Sequence, residues 1–153
     1  MSSDAGKGGD PMSLAFAEAR AAELRAEAPI GAALVRGEAV IASAGNRTRE
    51  LADPTAHAEM LVIREAAAKL GSERLAGCDL YVTLEPCAMC AGAISHARLR
   101  RLYYAAPDPK GGAVDHGVRF FRQPTCHHAP EVYGGLREGE AAAMLRRFFA
   151  ARR

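Results

Sequence analysis

Between Leu80 and Arg98 the chain reads Leu80-Tyr81-Val82-Thr83-Leu84-Glu85-Pro86-Cys87-Ala88-Met89-Cys90-Ala91-Gly92-Ala93-Ile94-Ser95-His96-Ala97-Arg98, and this stretch limits the possible folds more than any other. Leu80–Leu84 has the apolar character of a buried strand. Pro86 suits the first position of a helix, where its missing N–H costs nothing. On that helix Cys87 and Cys90, three residues apart, share a face and both sulfurs can reach one metal ion. A second segment, Pro54-Thr55-Ala56-His57-Ala58-Glu59, puts His57 near the start of another helix, with Pro54 at its mouth and Gly71 just past its end. Glu59 lies two residues further on and so points to a different side from His57.

One histidine and two cysteines make three ligands, which leaves the fourth tetrahedral position of a zinc ion open for water, as in catalytic rather than structural sites. Glu59, near the metal without being a ligand, has the placement a general acid/base needs. The partial positive charge of helix N-termini, added to that of Zn2+, favours thiolates over thiols whose free pKa is about 8.5. A lone Cys-x-x-Cys would read as a redox pair or half of a zinc knuckle, with His57 a core histidine. The His-x-Glu at a helix start, followed by Pro-Cys-x-x-Cys after a strand, argues for the catalytic reading.

The rest of the composition fits one domain. A chain of 153 residues buries about 70% of its unfolded surface. With 25% charged residues and no apolar run near 18 residues, a membrane span is excluded. Cys78 and Cys126 show no disulfide-framework spacing, so a reducing cytoplasm is the expected location. A net charge of +2 is too small to mark a nucleic-acid binder, so any RNA contact must be local. Residues 1–11, rich in Ser, Gly and Asp, are expected to be a disordered leader, and residues 12–153 a single domain.

Within that domain a first helix is expected over Met12–Ala28, with Leu14, Phe16, Ala17, Ala21 and Leu24 as its apolar stripe. Gly31–Val35 and Ala39–Ala44 read as a hairpin across Arg36-Gly37-Glu38. Asn46 follows, by itself a turn residue. The helix after His57 carries Met60, Leu61, Ile63, Ala67 and Leu70 as core. Asp79–Leu84 and Arg101–Ala105 are further strands, with a helix from Cys87 to Ala97 between them. The alternation of strand and helix implies parallel central pairing and puts the helix starts, with His57, Cys87 and Cys90, in one crevice at the sheet edge. Asp108, in Pro107-Asp108-Pro109-Lys110-Gly111-Gly112, reads alone as a turn aspartate. A C-terminal helix from Glu138 to Arg152 is expected to pack Ala141, Leu145 and Phe148 on the sheet.

These motifs resemble the bacterial tRNA-specific adenosine deaminases of the cytidine/deoxycytidylate deaminase superfamily. The resemblance is carried by His57-Ala58-Glu59 and Val82–Ile94, and also by Pro29-Ile30-Gly31-Ala32, Gly45-Asn46-Arg47, Asp53-Pro54-Thr55-Ala56 and Asp108-x-Lys110-x-Gly112, and it runs from about Met12 to Arg153. It implies a three-layer α/β/α cytidine-deaminase-like fold, a mixed five-stranded sheet with helices on both faces. It implies one catalytic Zn2+ per chain on His57, Cys87 and Cys90, with Glu59 as proton shuttle. The implied reaction is hydrolytic deamination of adenosine to inosine at the wobble position of tRNA anticodons, by a cytoplasmic homodimer. Ile30, Asn46, Ala58, Asp108, Phe149 and Arg152 are the implied substrate contacts. Phe149, with Arg146, Arg147, Arg152 and Arg153, would give a basic, aromatic surface for a single-stranded loop; the plain alternative is a charged, solvated helix end. The chain departs from the family pattern at Ala113–Tyr133, where Cys126-His127-His128 reads as a substrate-facing loop rather than a second metal site. Deamination of a free base or nucleoside uses the same zinc chemistry and stays open, as does an RNA-binding module with structural zinc, although the latter has no use for Glu59.

Overall fold

Alternation along the strands sends their side chains into two apolar layers, and helices cover both. The computed structural model describes residues 10–152. In chain order these form α1 (Pro11–Leu24), β1 (Gly31–Arg36), β2 (Ala39–Gly45), α2 (Ala58–Leu70), β3 (Cys78–Leu84), α3 (Ala88–Ala97), β4 (Arg101–Ala106), a 3-10 turn (Phe120–Arg122), β5 (Glu131–Gly134) and α4 (Glu138–Ala150). One five-stranded sheet has the order β2-β1-β3-β4-β5. The β3–β4 and β4–β5 pairs are parallel, as the strand–helix alternation requires, but β1 runs antiparallel to both β2 and β3. β1 and β2 reverse at Gly37, whose φ of +62° suits glycine in a tight turn, and the hairpin docks with β1 antiparallel against β3.

On one face, Leu34, Leu80, Val82, Leu102 and Tyr104 pack with Ala58, Val62 and Ala66 of α2 and Ile94 of α3. On the other, Met12, Ala15, Phe16 and Ala19 of α1 and Ala141 and Met144 of α4 pack over Ala105 and Ala106. The cytidine-deaminase-like three-layer arrangement is therefore present. No helix among the described residues is long and apolar enough to cross a membrane, and Cys78, Cys87, Cys90 and Cys126 are all free of disulfides.

Several expectations shift. Residues 1–9 lie outside the described residues, but the folded part begins earlier than residue 12: the Asp10 carboxylate accepts from Ser13 N at 2.8 Å as N-cap, and Pro11 opens α1. The helix stops at Leu24 rather than Ala28, and its buried face is Met12, Ala15, Phe16, Ala19 and Ala22, while Leu24 is 90% exposed. The stripe was mis-phased because alanines make the contact. A Cβ on Gly31 would lie 2.0 Å from the Ala15 carbonyl oxygen, and one on Gly45 would lie 2.5 Å from that of Glu18. Small residues are what this close helix–sheet approach demands. In α2 the innermost face is Ala58-Val62-Ala66, with Ile63, Ala67 and Leu70 packed at its margin and Met60 and Leu61 only half-buried. In α4, Met144 takes the inner position expected for Leu145.

Candidate active site

His57 and Cys87 occupy equivalent places, each the N-cap of a helix, α2 and α3 respectively. Pro86 thus precedes the cap rather than opening the helix, and Cys87 sits at the helix mouth rather than on its first turn. Cys90, one turn into α3, is fully buried. The two helix starts converge, with His57 Nδ1 3.6 Å from Cys87 Sγ and 3.5 Å from Cys90 Sγ. Among the described residues these three are the one group of three or more such side chains able to hold a metal ion.

The donor set fits zinc by geometry. A tetrahedral ion with Zn–N about 2.05 Å and Zn–S about 2.3 Å separates nitrogen from sulfur by about 3.5 Å, which is the spacing present. The electrostatics agree. The Cys87 thiol is pulled down to about 4 by the Cys90 thiol hydrogen bond and by His57, against the opposing effect of burial. His57 is raised, chiefly by its bond to Cys87. Cys90 is pushed upward by its bond to Cys87 and by burial. A thiol held this readily as thiolate, beside an imidazole nitrogen and a second sulfur, is a donor set that suits a cation.

Glu59, in the first turn of α2, is 4% exposed, and its carboxyl is pushed up to about 7, chiefly by that burial. It stands two residues from His57, outside the ligand group. A dication on the ligands acts in the opposite sense, favouring the carboxylate. Glu59 is therefore held where its proton affinity falls in the range useful to a general acid/base near neutrality.

Asn46 is buried, and its Oδ1 accepts from Ala58 N at 3.0 Å. The Ala58 amide, expected to hold a base, is thus already taken by Asn46, whose Nδ2 is left as the donor facing outward from that bond. Asn46 N donates in turn to the Ile30 carbonyl at 3.0 Å. Gly31 N donates to Thr83 Oγ1 at 3.1 Å, fixing Ile30 against the end of β3.

Ile30 also lines a cavity of about 530 Å³ with Leu84, Asp108, Lys110, Arg146 and Phe149. It opens at the same end of the sheet as the ligand group, since Leu84 ends β3 just before Cys87. Phe149 is 51% exposed there. Three expected contacts, Ile30, Asp108 and Phe149, are thereby brought together. Arg152 is not: its guanidinium lies 3.6 Å above the Phe148 ring and donates to the Phe148 carbonyl. The Asp108 carboxylate is occupied within its own turn, accepting from Lys110 N and Gly111 N at 3.2 and 3.0 Å.

In the Cys126-His127-His128 cluster His127 is exposed, while its neighbours are tied into the fold. His128 Nε2 bonds the Leu99 carbonyl at 2.7 Å, and the His128 carbonyl accepts from Ser95 Oγ and Cys126 Sγ. This segment fastens the approach to β5 onto the end of α3.

The residue that sequence reasoning passed over is Glu85. Its carboxylate is fully buried, and burial alone would push it up. Bonds from the Asp108 backbone, the His116 ring and the Asp115 and Val114 backbones instead hold it below the ordinary carboxylate range. The available signal was a carboxylate joined to an apolar strand, a place that demands partners.

Comparison with known proteins agrees with this geometry. Residues 9–106 match the family model for the cytidine and deoxycytidylate deaminase zinc-binding region. The chain is 68% identical, over 93% of both sequences, to the tRNA-specific adenosine deaminase of Agrobacterium fabrum. This chain belongs to the tRNA-specific adenosine deaminases. A solved structure of the tRNA:A34 deaminases that carry out A-to-I editing at the wobble position shares 68% identity with this deaminase, covering 88% of it and 98% of that chain, at a TM-score of 0.87. The guanine deaminase of Nitrosomonas europaea is more distant, at 27% identity, 92% and 83% coverage and a TM-score of 0.78. The deaminase fold is thus shared with enzymes acting on free bases, and the zinc-site geometry by itself does not separate the two substrate classes.

Proposed function

We propose that this deaminase converts adenosine to inosine at the wobble position of tRNA anticodons, with water as co-substrate and ammonia as second product. The observation that carries the chemistry is the His57–Cys87–Cys90 group with Glu59 buried beside it. The substrate rests on the relatives named above and on the cavity at Phe149 and Arg146, which includes Leu84 at the end of β3.

A zinc ion held by His57 Nδ1, Cys87 Sγ and Cys90 Sγ supplies Lewis acidity, making water acidic enough to react near neutral pH. Glu59 takes a proton from the attacking water and places it on purine N1, which draws electrons from C6. Once the water oxygen has bonded C6, the regenerated carboxylate takes its remaining proton and passes it to the amine. The C6–N bond then breaks, ammonia leaves and a C6 carbonyl remains. Asn46, fixed by Ala58 N, offers Nδ2 to the purine edge. Ile30 packs against the base, and Phe149 with Arg146 and Lys110 receives the neighbouring nucleotides by stacking and phosphate contact. Bases of an anticodon loop are already unpaired, so presenting one costs less than extracting it from a duplex. A cytoplasmic homodimer is the form in which we expect the enzyme to act.

The test is ammonia release by zinc-loaded protein from an anticodon stem-loop bearing adenosine at the wobble position, run beside free adenosine, guanine and cytidine. Turnover confined to the stem-loop is the expected result. Turnover confined to a free base would move the enzyme to base salvage with its zinc chemistry intact.

A further inference from the structure

Glu85 stands at the join between β3 and the segment that carries Cys87, and both of its carboxylate oxygens are spent on one loop. Oε1 accepts from Asp108 N at 2.9 Å and from His116 Nδ1 at 2.8 Å. Oε2 accepts from Val114 N, Asp115 N and His116 N at 3.1, 2.9 and 3.1 Å. Residues 107–117 form neither helix nor strand, so these bonds replace the ladder that would otherwise hold their backbone. The loop closes tightly on the carboxylate: a Cβ on Gly112 would sit 2.5 Å from Glu85 Cδ. Pro86 adds a tie, its carbonyl accepting from Ala113 N at 2.9 Å. Pro107, Asp108, Lys110 and Gly111 of this loop form one wall of the cavity that Ile30, Leu84, Arg146 and Phe149 also line.

We infer that Glu85 is a positioning residue, which locks the 107–117 loop to the Cys87 segment and so sets the cavity wall that receives the RNA flanking the target base. The inference rests on the proposed RNA substrate only for its kinetic consequence; the locking itself is a property of the loop. Glu85 touches no reacting atom and is not a zinc ligand, so its loss falls on RNA binding rather than on the chemical step. His116, whose side chain is 36% exposed, closes the carboxylate off from solvent and is the outer half of the lock.

The experiment compares zinc-loaded wild type with Glu85→Gln, which keeps the volume but turns an NH2 toward the loop's N–H donors. Three quantities are read: amide hydrogen exchange in residues 107–117, zinc content, and kcat and KM on the anticodon stem-loop. Expected are exchange about tenfold faster in the loop with α3 unchanged, full zinc occupancy, KM raised about tenfold and kcat within about threefold of wild type. Unchanged loop exchange, loss of zinc, or a fall in kcat at constant KM would each overturn the inference. Should Glu85→Gln fail to fold, His116→Ala and His116→Asn carry the test from the exposed side. Alanine removes the Nδ1 donor, so loop exchange and KM rise about threefold, whereas asparagine restores a donor at that position and brings both back. If both variants behave as wild type, the lock is refuted. If the wild type fails to turn over the stem-loop, the RNA reading fails, and the exchange measurement still decides the role of Glu85.

Discussion

One metal ligand differs from the other two in its hold on a proton, and that difference has a measurable consequence. Cys87 is already a thiolate near neutrality, whereas Cys90 and His57 are both displaced toward their protonated forms. Zinc requires neutral imidazole and two thiolates. Binding near neutrality therefore releases protons, chiefly that of Cys90. Calorimetry in buffers of different ionisation enthalpy measures this, and zinc affinity is expected to rise with pH. Binding without proton release, or affinity flat in pH, would contradict the assignment. The ligands and Glu59 were legible in the sequence because each half carries a short pattern, His-x-Glu and Cys-x-x-Cys at helix starts, although thirty residues separate His57 from Cys87. Asn46–Ala58 and Glu85–His116 were not, because no short pattern announces either partner.

Among the elements, α1 is fixed by what its neighbours lack. Gly31 and Gly45 let its backbone lie directly on the hairpin, and Ala15, Ala19 and Ala22 meet them. Gly31→Ala drives a Cβ into the Ala15 carbonyl, a backbone contact that cannot swing aside, and is expected to cost about 1–3 kcal/mol or more. Leu24→Ala, at an exposed position that hydrophobicity alone assigns to the apolar stripe, is expected to change stability by no more than about 0.5 kcal/mol. Denaturant unfolding of the two variants distinguishes the packed face from the expected one; equal effects would contradict it. Helix and strand identities were legible from periodicity and punctuation, and most boundaries fell within a few residues. The phase of α1 was not, since hydrophobicity ranks leucine above alanine while contact here is decided by size. The four residues of β5 are too few for a periodic signal, and the antiparallel join of β1 to β3 depends on where the hairpin docks.

Taken whole, the molecule brings the ends of β1, β3 and β4 and one side of α4 to a single edge of the sheet. A cavity at that edge carries a half-exposed phenylalanine and two flanking cations, Lys110 and Arg146. Phe149→Ala removes a stacking surface remote from the ligands and is expected to raise KM for an anticodon stem-loop about tenfold, with zinc content and thermal unfolding close to wild type. An unchanged KM would take α4 out of the RNA contact. The fold class and the zinc centre could be anticipated from the chain, because motif and topology constrain each other. The cavity could not, being assembled from four elements and a loop held by a buried carboxylate.

The most direct measurement maps inosine in a full-length tRNA transcript with adenosine at the wobble position, by nuclease digestion and mass spectrometry after incubation with zinc-loaded wild type or Glu59→Ala. The account predicts inosine at that one nucleotide with the wild type, and none with Glu59→Ala, although that variant keeps its zinc and its fold. Inosine spread over other adenosines, or formed equally well without the Glu59 carboxylate, would contradict it.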